Sequence, residues 1–228
     1  MTAPILDFET TVRTRQSIRK FLPTPMSEVE IKQILADAQN APSACNTQPW
    51  LVHVASGETL ARLKARFKKT FSEGRNTADF EFNQEKYKGD YEPRWRNQYA
   101  HVFTTSYGIA REDKAGRQVV YDDNIDGYGA PHMAFLFMPS IDNHDVNIAS
   151  DVGMYSQTFL LSLTARGFGG IPQLALAMFA DDIREELGIS KEYKLLHGIS
   201  FGHPDWGAMQ NKHHLGRVPV GESAVLHW

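Results

Sequence analysis

Three arginines and a serine crowd into seven residues in Arg13-Thr14-Arg15-Gln16-Ser17-Ile18-Arg19. A guanidinium offers a planar fork of N–H donors that matches phosphate oxygens, and a hydroxyl adds another donor. The spacing suits a phosphomonoester; a solvated basic face that meets no ligand is the alternative. A second constellation is Pro42-Ser43-Ala44-Cys45-Asn46-Thr47-Gln48-Pro49-Trp50. Its small side chains let backbone approach a flat ligand. The amides of Asn46 and Gln48 carry both donors and acceptors for the edge of a heterocycle. The same stretch also reads as an ordinary connecting loop.

Gly167-Phe168-Gly169-Gly170-Ile171-Pro172-Gln173-Leu174 could present backbone N–H groups to a ligand, or serve only as a helix stop and turn. It is not a dinucleotide fingerprint, and the chain has no phosphate-binding Walker motif. His203, Asp205, His213 and His214 invite a metal reading. Adjacent histidines point in different directions, however, and no HxxxH or HExxH spacing accompanies them. No GxSxG elbow supports a serine hydrolase. Cys45 is the one cysteine, which excludes an intramolecular disulfide and a Cys-rich zinc site. It is a weak nucleophile candidate beside the plainer role of small loop filler.

Positioning these groups falls to a modest set of elements. Asp7–Arg15 reads as a first helix. Ser27-Glu28-Val29-Glu30 is a capping box, and Ile31, Ile34, Leu35 and Ala38 follow at helical spacing, so a helix is expected over Ser27–Asn40. The loop Ala41–Trp50 leads into a strand at Trp50–Ala55 and a helix at Gly57–Thr70. Residues 71–126 are rich in aromatics and charges and read as a helical excursion, with helices near Phe80–Tyr87 and Trp95–Ala110. A buried strand at Ala130–Met138 and an apolar helix at Val152–Arg166 come next, the helix stopping at Gly167. Gly169–Leu174 is a loop or short strand, Asp181–Leu187 a short helix, Leu195–Gly202 the last strand, and His203–Trp228 an extended tail. Few, well-separated strands among many helices imply a small central sheet flanked by helices, in one domain spanning 1–228.

Apolar residues make up 42% and charged residues 22% of the 228, enough for a core, and a net charge of −3 offers no basic excess for a nucleic-acid backbone. The beginning lacks a basic patch followed by an apolar run, and no apolar stretch reaches the roughly 20 residues that span a bilayer. The expectation is a cytoplasmic protein with no membrane or nucleic-acid partner.

Taken together the segments resemble the nitroreductase superfamily. The arginine motif stands as Arg15-Gln16-Ser17-Ile18-Arg19-Lys20-Phe21, and the A-P-S-x-x-N-x-Q-P-W signature as Ala41 to Trp50 nearly letter for letter. Gly129-Ala130-Pro131, Gly202-His203-Pro204-Asp205 and Arg217-Val218-Pro219 follow in order. The resemblance implies an α+β fold around a small mixed sheet, and an intertwined homodimer with FMN at the subunit interface. It implies that Arg15, Ser17, Arg19 and Arg217 hold the FMN phosphate, with Gln16 contacting the flavin through its backbone. Pro42, Ser43, Ala44 and Asn46 would border the flavin, some from the partner chain. Pro172, Gln173 and Leu174 would lie beside the ring system with a backbone N–H facing N5. NADH or NADPH would donate electrons in a ping-pong cycle to a nitroaromatic or quinone-like acceptor, without a side-chain acid–base triad. Enone reduction, reductive dehalogenation, or flavin binding without turnover are the alternatives. Two departures stand out. The glutamate that some members place beside the flavin is absent from Gln173-Leu174-Ala175. Leu215 occupies a position that is basic in some members, with His214 as a substitute. Tyr87, Tyr91, Trp95, Tyr99, Phe103 and Tyr107 offer flat faces either to an acceptor or to a partner subunit.

Overall fold

The computed structural model describes residues 5–141, 144–212 and 214–228. At its centre, strand β2 (His132–Pro139) has seven consecutive buried residues, as a strand covered on both faces must. It pairs with β1 (Leu51–Ser56) on one side and β4 (Tyr193–Gly202) on the other. Strand β3 (Gly169–Gln173) pairs with β4, for a sheet order of β1-β2-β4-β3.

Strand alternation sorts the core into two layers. Ala134, Leu136 and Met138 of β2 pack with helices α2 (Glu28–Ala38) and α6 (Asp145–Ala165). Met133, Phe135 and Phe137 pack with α3 (Gly57–Ser72) and α7 (Ala180–Leu187), where Phe67 stacks on Phe179 at 4.6 Å. The register of β2 against β4 shifts between Leu136 and Phe137, which oppose His197 and Leu195, so Leu196 has no partner. That extra residue changes the parity of β4. Leu195 joins the α3–α7 layer, whereas Ile199 and Phe201, at the same spacing, join the other.

The sheet corrects one expectation. It is not mixed in its ladders, which are all antiparallel; among the described residues the parallel contact is a single bridge between Ser17 and Gly170. Strands β2 and β3 do run the same way, joined through α6, but β4 lies between them. Gly169 and Gly170 make the close fit at this edge possible. A Cβ on Gly169 would lie 2.5 Å from Ile18 Cγ1, and one on Gly170 2.9 Å from Leu163 Cδ1.

The first helix, α1 (Phe8–Thr14), and the capping box of α2 form where expected, with the Ser27 and Glu30 bonds both present. The excursion differs. Only a short 3-10 turn, Gln84–Lys86, forms within 80–87. Helix α4 (Tyr91–Ala100) starts earlier than expected and opens into a π-helical turn, His101–Ser106. Helix α5 (Lys114–Ile125) was not anticipated: Gly116, Val119 and Val120 lower its propensity. Its signal was the cap Asp113, whose carboxylate accepts from Gly116 N at 2.8 Å. Helix α6 begins at Asp145, seven residues before the expected Val152. The excursion is pinned to the core by buried Arg184, which pairs with Asp79, reaches Asp181 at 3.2 Å and donates to Tyr193 O at 2.8 Å. Asp79 in turn accepts from Leu195 N at 2.7 Å. Among the described residues no helix is long and apolar enough to cross a membrane.

Candidate functional site

Helix α1 ends at Arg15, and the chain then runs along the edge of β3, where Ile18 N donates to Gly170 O at 3.2 Å. Arg13 leaves the cluster: it pairs with Glu9 at 2.7 Å in solvent. Arg15 is half-buried, and its pKa is pushed down by desolvation and then by the charge of Arg217. Arg217 comes from the tail and donates to Leu215 O and Gly216 O at 3.0 and 3.1 Å. Among the described residues neither Arg15, Arg19 nor Arg217 forms an ion pair with a carboxylate. Two guanidinium groups near enough to repel, with no carboxylate partner among the described residues, are a donor set suited to a doubly charged oxyanion.

Arg19 faces elsewhere. It borders a cavity of about 140 Å³ together with Tyr99, Val102, Phe103, Tyr121 and Tyr128. Burial raises the Tyr128 hydroxyl pKa, and the neighbouring Arg19 charge tempers the rise. Nearby, Tyr107 donates to Asp123 at 2.8 Å, and burial pushes its pKa well above the usual range. The arginine segment is tied to the tail by Asn211, which the sequence did not single out. Its Oδ1 accepts from Arg19 N at 2.8 Å, and its backbone O accepts from Gln16 Nε2 at 3.2 Å. A lone asparagine in an aperiodic tail carries no sequence signal for such a role.

The loop after α2 is mostly exposed and held in an unusual shape. Cys45, Asn46 and Gln48 have φ of 50°, 56° and 48°, a left-handed conformation that costs of order 1 kcal/mol or more for each non-glycine residue. Neighbours enforce it. Buried Asp151 accepts from Ala44 N at 3.1 Å, and Ser43 Oγ accepts from Gln48 N at 2.9 Å. Trp50 lies 5.0 Å from the Tyr155 ring. Pro42, Ala44 and Asn46 are therefore presented outward on a fixed scaffold, with Ser43 partly buried beneath them.

This loop and the arginine segment occupy diagonal corners of the sheet. The loop enters β1 opposite Phe137, whereas Ser17 meets β3 at Gly170, which lies level with His132 through Phe201. Four strand spacings of about 4.8 Å, the last from β3 out to Ser17, and five residues of about 3.3 Å put them roughly 25 Å apart within one chain.

At the end of β3, Pro172 is exposed and Leu174 about half-exposed, but Gln173 is buried. Its Nε2 donates to Asn124 O and Oδ1, both at 2.7 Å, and its Oε1 accepts from Ser200 at 2.5 Å. The Gln173 side chain is thus committed to the interior, leaving only its backbone for a ligand. Leu174 walls a second cavity of about 910 Å³, at the upper end for small-molecule sites, with Phe71, Phe80, Tyr99, Tyr121 and Asn124. Of the aromatic residues expected to face an acceptor, Tyr99 borders both cavities and Phe103 the smaller one. Tyr87 and Tyr91 lie exposed in edge-to-face contact at 6.3 Å. Trp95 packs on Tyr99 at 5.8 Å.

The histidines do not gather into a metal site: among the described residues no three His, Cys, Asp or Glu side chains group suitably. His213 lies outside the described residues. His203 instead packs 5.0 Å from the Phe168 ring.

A family model described as "Nitroreductase family" matches residues 12–203. The chain belongs to the nitroreductase family. It is 35% identical to nitroreductase NfnB of Mycolicibacterium smegmatis, over 97% of this chain and 95% of that one. It is 32% identical to 4-nitrobenzoate reductase of Pseudomonas putida, over 90% and 88%. Among solved structures, the FMN-dependent NfnB from Mycobacterium smegmatis in complex with NADPH superposes with a TM-score of 0.90, at 35% identity over 96% and 97% of the chains. The FMN and NADPH-dependent NfnB from a Sphigopyxis species gives 0.92 at 30% identity, over 98% and 100%. In this nitroreductase-family chain the family match ends at His203, so Asn211 and Arg217 lie beyond it.

Proposed function

We propose that the chain is an FMN-dependent NAD(P)H oxidoreductase that reduces nitroaromatic or quinone-like acceptors, acting as a homodimer of single-domain chains spanning 1–228. The observation that carries the reading is the half-buried Arg15 beside Arg217, two cations without a carboxylate partner among the described residues. This donor set fits the phosphate of FMN, and the structural relatives named above are FMN-dependent nitroreductases, one in complex with NADPH and the other NADPH-dependent.

In this reading Arg15, Ser17 and Arg217 hold the phosphate end, and Gln16 contributes backbone. Arg19, on the wall of the smaller cavity, supplies positive charge beside the bound cofactor. The backbone of Pro172, Gln173 and Leu174 lines the ring, and the aromatic wall of the larger cavity receives planar acceptors. Pro42, Ser43, Ala44 and Asn46 border the ring from a second copy. The roughly 25 Å diagonal between that loop and the arginines favours completion of each site by a partner chain. Bound FMN would supply the redox chemistry, taking hydride from the nicotinamide and passing electrons to the acceptor. Residues that orient and exclude water then suffice.

The test is purification of wild type and the Arg15→Ala, Arg19→Ala double variant, followed by anaerobic absorbance scans with NADH and NADPH. Wild type is expected yellow and bleached by a nicotinamide, then recoloured by a nitroarene or quinone. The double variant is expected colourless. A double variant with full colour, or a wild type that no nicotinamide bleaches, contradicts the reading.

A further inference from the structure

We propose that Asn211 is a positioning residue that assembles the phosphate grip, an inference that rests on the FMN reading above. Every hydrogen-bonding group of Asn211 is engaged. Oδ1 accepts from Arg19 N at 2.8 Å, and Nδ2 donates to Lys20 O at 2.7 Å and Asp205 O at 2.9 Å. Its backbone N donates to Ala208 O at 3.2 Å, and its backbone O accepts from Gln16 Nε2 at 3.2 Å. The residue is 2% exposed. Its contacts at Gln16, Arg19 and Lys20 flank Ser17 and follow directly on Arg15. The side chain therefore fixes the chain at Arg19 and Lys20, and the backbone carbonyl of the same residue holds Gln16. The same side chain anchors the tail shortly before Arg217, whose charge is felt by Arg15.

The chemistry demands an amide. The site needs one acceptor for an N–H and two donors for carbonyls, at one short reach from the backbone. Aspartate supplies the acceptor alone and would set a charge against two carbonyl oxygens. The side-chain bonds lost on substitution are those to Arg19 N, Lys20 O and Asp205 O. What their loss loosens is the placement of the segment carrying Arg15 and Ser17 against the tail carrying Arg217. A phosphate dianion reads that placement directly; the uncharged remainder of the flavin does not.

FMN and riboflavin differ only by the phosphate, and titrating both into apoprotein separates the two effects. Wild type should prefer FMN. Asn211→Ala should weaken FMN at least about tenfold, with riboflavin changed by no more than about twofold, since mispositioned charged donors lose affinity for their own target. Asn211→Asp, which keeps the acceptor for Arg19 N and loses both donors, should shift the FMN-to-riboflavin ratio in the same direction. Thermal melts of the three proteins report any general loosening. If both ligands weaken equally, or the ratio stays at the wild-type value, Asn211 is structural only and the proposal is overturned. A wild type that binds riboflavin as tightly as FMN instead removes the phosphate assignment itself, and with it this inference.

Discussion

Acidification should loosen this fold through His132, and the structure sets the size of the effect. His132 opens β2, is almost fully buried, and joins three elements. Its Nε2 accepts from Met26 N at 2.8 Å, so the proton resides on Nδ1, which faces Ser56 Oγ at 2.5 Å. A second proton on Nε2 would point one N–H at another. Burial, helped by the charge of His203, depresses the pKa from 6.5 to about 4. Because the folded pKa is the lower one, the unfolded chain binds more protons between these values, and stability falls as pH falls through the window. Between pH 7 and pH 5 the linkage relation gives a loss of about 1.8 kcal/mol from this residue. The assay is urea denaturation at both pH values for wild type and His132→Gln, at one protein concentration and with saturating FMN. Glutamine does not titrate. The variant is less stable at pH 7 because it forfeits the stacking of His132 on Phe201, 5.3 Å away, but its loss between pH 7 and pH 5 should be smaller by about 1.8 kcal/mol. Equal losses in the two proteins would refute the reasoning.

Asp79→Ala should destabilise the protein by about 3 kcal/mol in urea melts, since it strips buried Arg184 of its nearest carboxylate and Leu195 N of its acceptor. A change under about 1 kcal/mol would mean that Asp181 and Tyr193 O compensate. Gln173→Met should raise the acceptor KM several-fold with FMN affinity near wild type. The change unties Asn124, which walls both cavities, and strands the buried Ser200 hydroxyl at a cost of about 1–3 kcal/mol. Unaltered KM and melting temperature would show that α5 keeps its place without this tether.

Local signals that depend only on neighbouring residues were legible. The Ser27–Glu30 capping box, the Gly188 stop with φ of 67° after α7, and the continuous apolar run of β2 each describe bonds made within a few residues. The arginine motif and the small-residue loop stood out as candidates too, because residue type alone marks them. Helix α5 was missed although its Asp113 cap was in view, because Val119, Val120 and Gly116 outweighed the cap in a propensity reading.

Sequence alone thus determined the layers, the donor-rich segments and their order. Tertiary structure decided which donors meet. It separated Arg13, claimed by Glu9 one helical turn away, from Arg15, brought beside Arg217 two hundred residues later. It turned the Gln173 amide inward, because Asn124 and Ser200 converge there only once α5 lies over β3 and β4. It made Asn211 a hub by folding the tail back on residues 16–20. Periodicity and capping act over a few residues of continuous chain, whereas these pairings depend on how distant strands and helices come to rest against one another. No window of sequence contains that distance information.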